Sequence, residues 1–408
     1  MMLDETPEIT APLELPLYQK KLITYNVDST TNVTLPTRYE PVKDEKTGQI
    51  CILGQGGYGI VIAARDRHRH NELVAIKKIG DVFNVAPYRM LREVIIMKHL
   101  HGHPNIVELI DIFVPGQTLQ EMNDLYIVLG MMNGGDLKQL MSQTLQQGGI
   151  SLQTIKDIMC QLLSALYYMH SAGILHRDLK PSNVLVSNTG DPATTQYRLC
   201  DFGLSTKEES DPVTNQESMY VVTRYYRPPE VILQYEIQSS AIDAWSAGCI
   251  FAELLYLLPP KPQRRPLFVA RKSGSNIQGI EEHLNLIVSL LGKPDMSDVK
   301  GTANGVKYFE RLFGHYPTEG LDLRQIFTSA PPEALDLLRK FLTWNPEKRI
   351  SFEQAVQHPF LKGNQFINLT RHEKKIDFEI EKKADTATFK WMFYQEVIEW
   401  AKRNGELF

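Results

Sequence analysis

Short apolar runs separated by polar breaks begin at QICILGQ, where Gln49 opens the first of them. The runs QICIL, GIVIAAR and LVAIKKI are brief and rich in β-branched residues, so they read as strands. Met90, Leu91, Val94, Ile95 and Met97 then recur at helical spacing, and NIVELIDIFV and DLYIVLGMM add two further strands before an NGGD break near residue 132. Residues 39–132 are thus expected to form a small antiparallel sheet with one helix. Beyond the break the period changes. Ile155, Ile158, Met159, Leu162, Leu163, Leu166 and Met169 trace one face of a buried helix, and helical patterns return in DAWSAGCIFAELLYL, EEHLNLIVSLLG and EALDLLRKFLTW. Residues 133–361 are expected to be mainly helical, interrupted near 259–276 by a basic, proline-rich surface loop. Residues 1–38, rich in Pro, Thr and charge without a sustained period, read as an extension that lies on the surface or is partly disordered. A tail over 362–408 ends in the helix-forming ATFKWMFYQEVIEWAK and is expected to pack its aromatics back on the small sheet unit. The fold class is α+β.

Composition narrows this little. A chain of 408 residues with 43% hydrophobic content has ample material for two cores, and a net charge of -4 points to neither nucleic acid nor an anionic membrane as partner. The cysteines, Cys51, Cys160, Cys200 and Cys249, are scattered and form no CxxC pair, which favours a reducing compartment. The N-terminus MMLDETPEIT is acidic where a secretory leader needs a basic start and an apolar run, so the Asn-x-Thr sequons at Asn32 and Asn368 read as chance. No apolar run is long enough for a membrane span, and no membrane insertion is expected.

The chemistry sits in a few clusters. Gly54, Gln55, Gly56, Gly57, Tyr58 and Gly59 match GxGxxG, but the following IVIAAR is strand-like, whereas a dinucleotide fold requires a helix there. A glycine-rich hairpin can instead lay backbone N–H groups over phosphates with no Cβ in the way. Val74-Ala75-Ile76-Lys77 and Glu93 follow in order; Lys78, the competing cation, points to the other face of its strand. The strongest signal is His176-Arg177-Asp178-Leu179-Lys180-Pro181-Ser182-Asn183, followed by Asp201-Phe202-Gly203. These motifs resemble those of the protein kinases, whose phosphoryl transfer to a hydroxyl needs an oxygen to orient the acceptor and take its proton, a cation to offset moving charge, and oxygen ligands for Mg²⁺. Asp178, Lys180, and the pair Asn183 and Asp201 supply these.

The resemblance implies a bilobal fold, ATP and Mg²⁺ as cofactors, Lys77 on the α- and β-phosphates with Glu93 as its ion-pair partner, and Ser or Thr as acceptor because Lys180 follows Asp178 by two residues. It places adenine among Val61, Ala75 and Leu185, Leu129 at the gatekeeper position, Gly130 to Met132 as the hinge, and Asp136 at the ribose. Glu230 is expected to pair with Arg349 of WNPEKRIS.

HPNIV, DLKPSN, TRYYR, AIDAWSAGCIFAEL and the tail IDFEI narrow the resemblance to the mitogen-activated protein kinases, over roughly residues 38–400. That family carries a doubly phosphorylated Thr-x-Tyr, and Ser218-Met219-Tyr220 stands in its place. The resemblance implies an upstream dual-specificity MAP kinase kinase, phosphatases, and Arg92 and Arg177 as binders of the Ser218 phosphate. It also implies protein substrates with Ser/Thr-Pro. A subsite without an acceptor for the next N–H favours proline, and Val222, Thr223, Arg224 and Arg227 fall in the segment that builds it. A cytoplasmic location, with the nucleus as a second, goes with this reading. The alternatives are a cyclin-dependent-like proline-directed kinase and a kinase-fold scaffold without turnover. The chain departs from the family where an acidic docking cluster is usual, since LKGNQFINLTRHEKK is basic.

Overall fold

The computed structural model describes residues 13, 19, 21–56, 59–191, 193–208, 224–269, 276–378, 380 and 384–405. They fall into two compact units, one drawn from the chain before Gly134 together with the chain from Asp377 onward, the other running from Gly134 to Ile376.

The first unit is built on strands β1 (Leu22–Asn26), β2 (Asn32–Pro36), β3 (Tyr39–Pro41), β4 (Ile52–Gly56), β5 (Gly59–Asp66), β6 (Glu72–Ile79), β7 (Leu109–Phe113) and β8 (Leu125–Gly130), with helices α1 (Val82–Val85) and α2 (Pro87–His99). Its main sheet runs β3-β5-β6-β8-β7, all neighbours antiparallel, with β4 sharing the β5 flank with β3. The strand period divides the sheet into two functions. Val74, Ile76 and Lys78 face one way, and Ala75 and Lys77 the other. On the first face Ile60, Ile62, Val74, Ile76, Tyr126 and Val128 join one buried cluster with Val33 and Leu35.

Val33 and Leu35 belong to β2, so the stretch expected to be a surface extension is in part core. β1 and β2 form an antiparallel hairpin, and the backbone N–H of Thr34 donates to the Tyr126 hydroxyl at 2.9 Å. The signal was the alternation of NVTLP, too short to stand out from its polar surroundings. Beneath it, Arg38 grips Asp66 through two bonds of 2.8 Å while the Tyr39 hydroxyl donates to Asp111 at 2.8 Å, so each buried charge has a partner. In α2 Met90, Leu91, Val94 and Met97 are buried as expected, while Ile95 is only half-buried and its neighbour Ile96 is fully buried.

The second unit contains α3 (Leu137–Gln146), α4 (Leu152–Ser171), β9 (Ile174–Leu175), β10 (Val184–Ser187), β11 (Gln196–Leu199), β12 (Thr206–Lys207), α5 (Pro229–Ile232), α6 (Ala241–Tyr256), α7 (Asn276–Leu291), α8 (Ala303–Phe313), α9 (Leu323–Ile326), α10 (Pro332–Phe341) and α11 (Phe352–Val356). The expected apolar stripe of α4 is entirely buried, and α6 is buried on all sides. The proline-rich loop is pinned more firmly than expected, since Phe268 is buried against Trp245 with ring centroids 5.8 Å apart. Glu230 and Arg349 form a buried pair at 2.7 Å, and all five guanidinium N–H groups find acceptors: both Glu230 oxygens and the carbonyls of Ala241, Thr343 and Trp344.

The tail is shared between the units. Residues 362–376 lie on the larger one, where Asn364 donates to Asp157 at 2.6 Å and the N–H of Asn368 donates to Ser164 at 2.9 Å. The last helix, α12 (Thr386–Arg403), belongs to the smaller unit. Among the described residues no helix is long and apolar enough to cross a membrane.

The hairpin's place in the core has a direct check. Replacing fully buried Leu35 by Ala should destabilise the protein by about 2–5 kcal/mol, whereas Ala at its exposed cross-strand partner Ile23 should change little. Equal effects in a denaturant titration would show that β2 is not part of the core.

Candidate functional site

In the first unit, strand register collects predicted residues on one face. Val61 stands opposite Lys77 and Ala75 opposite Leu129, and Ala75 and Lys77 are two apart, so these four side chains share the face turned away from the buried cluster. All four are half-buried. Lys77 Nζ lies 2.8 Å from Glu93 Oε1 on α2, and Glu93 is itself buried. Its second oxygen is buried without a hydrogen-bond partner among the described residues. Lys78, on the other face, donates to the Asn32 carbonyl at 2.9 Å and pairs with Asp124 at 2.9 Å, which gives it a structural role.

Gly54 and Gly56 lie along β4, where an added Cβ would meet nothing within 4 Å, and Gln55 between them is exposed. Gly59 differs. Its φ is +140°, and a Cβ there would collide with the Lys78 carbonyl, so only glycine can begin β5 this close to β6. Gly57 and Tyr58 lie outside the described residues. A cavity of about 300 Å³ adjoins the hairpin, lined by Gly56, Gly59, Ile79, Val82 and Met90 among others; Val61, Ala75 and Lys77 are not on its wall. Met132 is half-buried just after β8. Arg92 is buried on α2, its guanidinium 5.3 Å from the Tyr88 ring centroid, and burial lowers its pKa.

In the second unit the site is a loop hung from a buried carboxylate. Asp243 lies in the first turn of α6, has no solvent exposure, and accepts from the backbone N–H of His176 at 2.8 Å and of Arg177 at 2.9 Å, with His170 Nε2 at 2.7 Å. Burial alone would raise its pKa, but the hydrogen bond and charge of His170 and the contacts of His176 outweigh this and hold the carboxyl below its ordinary value. The helix N-terminus adds its own dipole to the same effect. The ring of His176 continues the scaffold: Nδ1 accepts from the Asp178 N–H at 3.2 Å while Nε2 lies 3.1 Å from the Cys200 carbonyl, a pattern that fits the neutral Nε2–H tautomer.

Thus braced, Arg177 adopts a left-handed φ of +68° and Asp201 one of +66°. Such backbone is strained for residues with side chains and persists only where the surroundings impose it. Asp178 Oδ2 receives Lys180 Nζ at 2.6 Å and Asn183 Nδ2 at 3.1 Å, and Asn183 also donates to the Asp178 carbonyl at 2.8 Å. Oδ1 of Asp178 is left without a hydrogen bond among the described residues. Since both Asn183 bonds use its nitrogen, its carboxamide oxygen is available to a cation. Asp201 is exposed, and among the described residues nothing hydrogen-bonds or pairs with its carboxylate. Two oxygen donors of this kind suit a Mg²⁺ ion, which keeps waters and phosphate oxygens as its other ligands. The open edge along Gly54 and Gly56 likewise leaves room for phosphates.

Other predicted residues stand differently. Asp136 bridges to Leu185, and its carboxylate caps α3 by accepting from the Gln139 N–H at 2.7 Å, so at least one oxygen has a structural task. Ser218, Tyr220, Val222, Thr223 and the Arg224 side chain lie outside the described residues. The segment after them is anchored: the Tyr226 hydroxyl donates to Glu253 at 2.6 Å and Ser246 donates to the Tyr226 carbonyl at 2.8 Å, with Arg227 directly following. Burial pushes the Glu253 carboxyl up to about 7. Asp243, His170 and Glu253 were given no role from sequence. For Asp243 and Glu253 the signal was available, as acidic residues inside an otherwise apolar helix pattern, since a buried charge without a task is rare.

The family model for the protein kinase domain matches residues 48–361. Among curated proteins, the chain is 36% identical to mitogen-activated protein kinase 3 of Arabidopsis thaliana, across 86% of this chain and 87% of that protein. It is 38% identical to mitogen-activated protein kinase spk1 of Schizosaccharomyces pombe over 81% and 80% of the two chains, and 36% identical to mitogen-activated protein kinase homolog NTF6 of Nicotiana tabacum over 90% and 89%. A match to the family over most of its length, and to these relatives over most of theirs, joins the loop around Asp178 and the Lys77–Glu93 pair in one conclusion: the chain belongs to the protein kinase domain family, among the mitogen-activated protein kinases.

Proposed function

We propose that this serine/threonine protein kinase, which as a family member uses ATP and Mg²⁺, phosphorylates Ser or Thr followed by Pro in other proteins and is switched on by phosphorylation of its own Ser218 and Tyr220. The observation that carries the catalytic part is the half-satisfied carboxylate of Asp178. With Oδ2 held by Lys180 and Asn183, Oδ1, which accepts no hydrogen bond among the described residues, can orient a substrate hydroxyl and take its proton. Lys180, already at hydrogen-bond distance, offsets negative charge that develops during transfer. Asn183 and Asp201 are the residues that would hold Mg²⁺, and Lys77, steadied by Glu93, is the cation for the nucleotide phosphates. Bound Mg²⁺ and ATP supply charge neutralisation and the phosphoryl group.

The proline preference rests on resemblance over Val222 to Arg227 and on the rigid seating of Tyr226. A pocket that strands the N–H of the following residue penalises every residue except proline. The switch rests on the position of the Ser218-Met219-Tyr220 sequence and on Arg177, a cation next to the catalytic aspartate that can bind a phosphoserine. The upstream partner is then a dual-specificity MAP kinase kinase, and phosphatases reverse the modification. Four free cysteines accord with a cytoplasmic setting, with the nucleus as a second.

Asp178→Asn should lower kcat about 10²- to 10⁴-fold while nucleotide binding persists; unchanged turnover in a radiolabel assay would remove Asp178 from the chemistry. For specificity, a Ser-Pro peptide should exceed its Ser-Ala counterpart in kcat/KM by about tenfold or more, since a stranded N–H costs about 1–3 kcal/mol. Equal rates would dismiss the proposed subsite. After incubation with an activating kinase, mass spectrometry should find phosphate on both Ser218 and Tyr220, and Ser218→Ala and Tyr220→Phe should each abolish the rise in activity. A full rise in both variants would place the switch elsewhere.

A further inference from the structure

Helix α2 carries Glu93, yet beyond Pro87 at its first position its N-terminal end has few signals of its own to fix it in place. Its N-cap residue, Ala86, offers no side-chain hydrogen bond, and its first turn holds no acidic residue. The 300 Å³ cavity flanks the same turn through Val82, Val85, Ala86 and Met90, so the packing there is incomplete.

What holds α2 comes from the far end of the chain. Lys98, in its last turn, has a side chain only 9% exposed and pairs with Glu396 at 2.5 Å and Glu399 at 2.6 Å, both on α12. Arg403 donates to the Lys98 carbonyl at 3.1 Å, satisfying one of the last-turn carbonyls that lack an intrahelical partner. Beside it the Trp400 indole N–H donates to the Ile110 carbonyl of β7 at 3.0 Å, with the ring buried edge-on to His101. At the other end of α12, Phe393 meets Phe83 of α1 edge to face at 5.5 Å, and Lys390 sits 5.3 Å from the same ring centroid. One helix thus grips both the turn before α2 and its C-terminal end. Lys98 follows Glu93 by five positions, which places it about 140° around the helix at 3.6 residues per turn. The ion pair to Lys77 and the ion pairs to α12 therefore pull on nearly opposite sides of α2.

The geometry points to Lys98 as a positioning residue for phosphoryl transfer: anchored to Glu396 and Glu399, it sets the seat of α2 and so keeps Glu93 at hydrogen-bond distance from Lys77. Burial raises the pKa of the Glu396 carboxyl and Lys98 opposes that rise, so each charge depends on the other for its solvation. Removing Lys98 leaves a mostly buried carboxylate unpaired and loosens the seat, without touching any group assigned to nucleotide or substrate.

The test is a mutant cycle in the full chain. Lys98→Met should lower kcat/KM for ATP about 10- to 100-fold, and Lys98→Arg, which keeps the charge, should restore most of it. Amide hydrogen exchange of the peptide covering residues 87–99, measured without nucleotide, should rise in Lys98→Met. The decisive comparison is the double variant Lys98→Met with Glu93→Gln, expected to be no worse than Glu93→Gln alone because both act through one contact. Multiplying losses in the double variant, or a Lys98→Met enzyme within about twofold of wild type with unchanged exchange, would overturn the assignment. Should Lys98→Met fail to fold, Glu396→Gln takes its place in the cycle: a double variant no worse than Glu93→Gln alone supports the assignment, and multiplying losses overturn it.

Discussion

The carboxylate of Asp243, sealed from solvent within α6, is where the larger unit's chemistry begins. Two backbone N–H groups and a histidine converge on it, and the two N–H groups belong to the residues immediately before Asp178. A buried carboxylate that lost these donors would be left uncompensated, at a cost of several kcal/mol. The chain therefore has one low-energy way to run through His176 and Arg177, including a left-handed residue that free peptide would avoid. Asp178, Lys180 and Asn183 inherit their geometry from that single point, and α6 can provide it because it is buried on all sides and cannot shift.

The smaller unit solves a different problem with a different rule. A strand presents alternate residues to opposite faces, so one β-branched run can serve a core and an open face together. β6 does so: Val74 and Ile76 enter the buried cluster while Ala75 and Lys77 point away from it. For this reason the Lys77–Lys78 ambiguity was decidable from the sequence alone. The parity that assigns Lys77 to the open face also assigns Lys78 to the hairpin side, where it meets Asn32 and Asp124.

Much of the fold and the catalytic loop could be read from the chain because both depend on local order: strand alternation, the i, i+4 stripe of α4, and motifs of contiguous residues. What escaped depends on partners far away in sequence. NVTLP shows its purpose only against Tyr126, and the inward turn of Phe268 only against Trp245. Lys98 looks like an ordinary charge at a helix end until Glu396 is placed beside it, nearly 300 positions later. Asp136 is the opposite case, since its capping box with Gln139 is local and plainly encoded as Asp-x-x-Gln.

The N-terminal hairpin also sets a lower bound on the unit that folds. Residues 48–361 are those by which the family is recognised, and a fragment cut to that span would discard Val33, Leu35 and Tyr39 along with all of α12. Ile60, Ile62 and Ile76 would then form a bare aliphatic surface on an antiparallel sheet, and β5 would lose β3 from its flank. Exposed apolar faces beside unpaired strand edges invite association between copies. The boundary of the matched kinase domain and the boundary of the folding unit are therefore different places in this chain, and what lies between them is a short run of modest, alternating sequence at one end and the tail helix at the other.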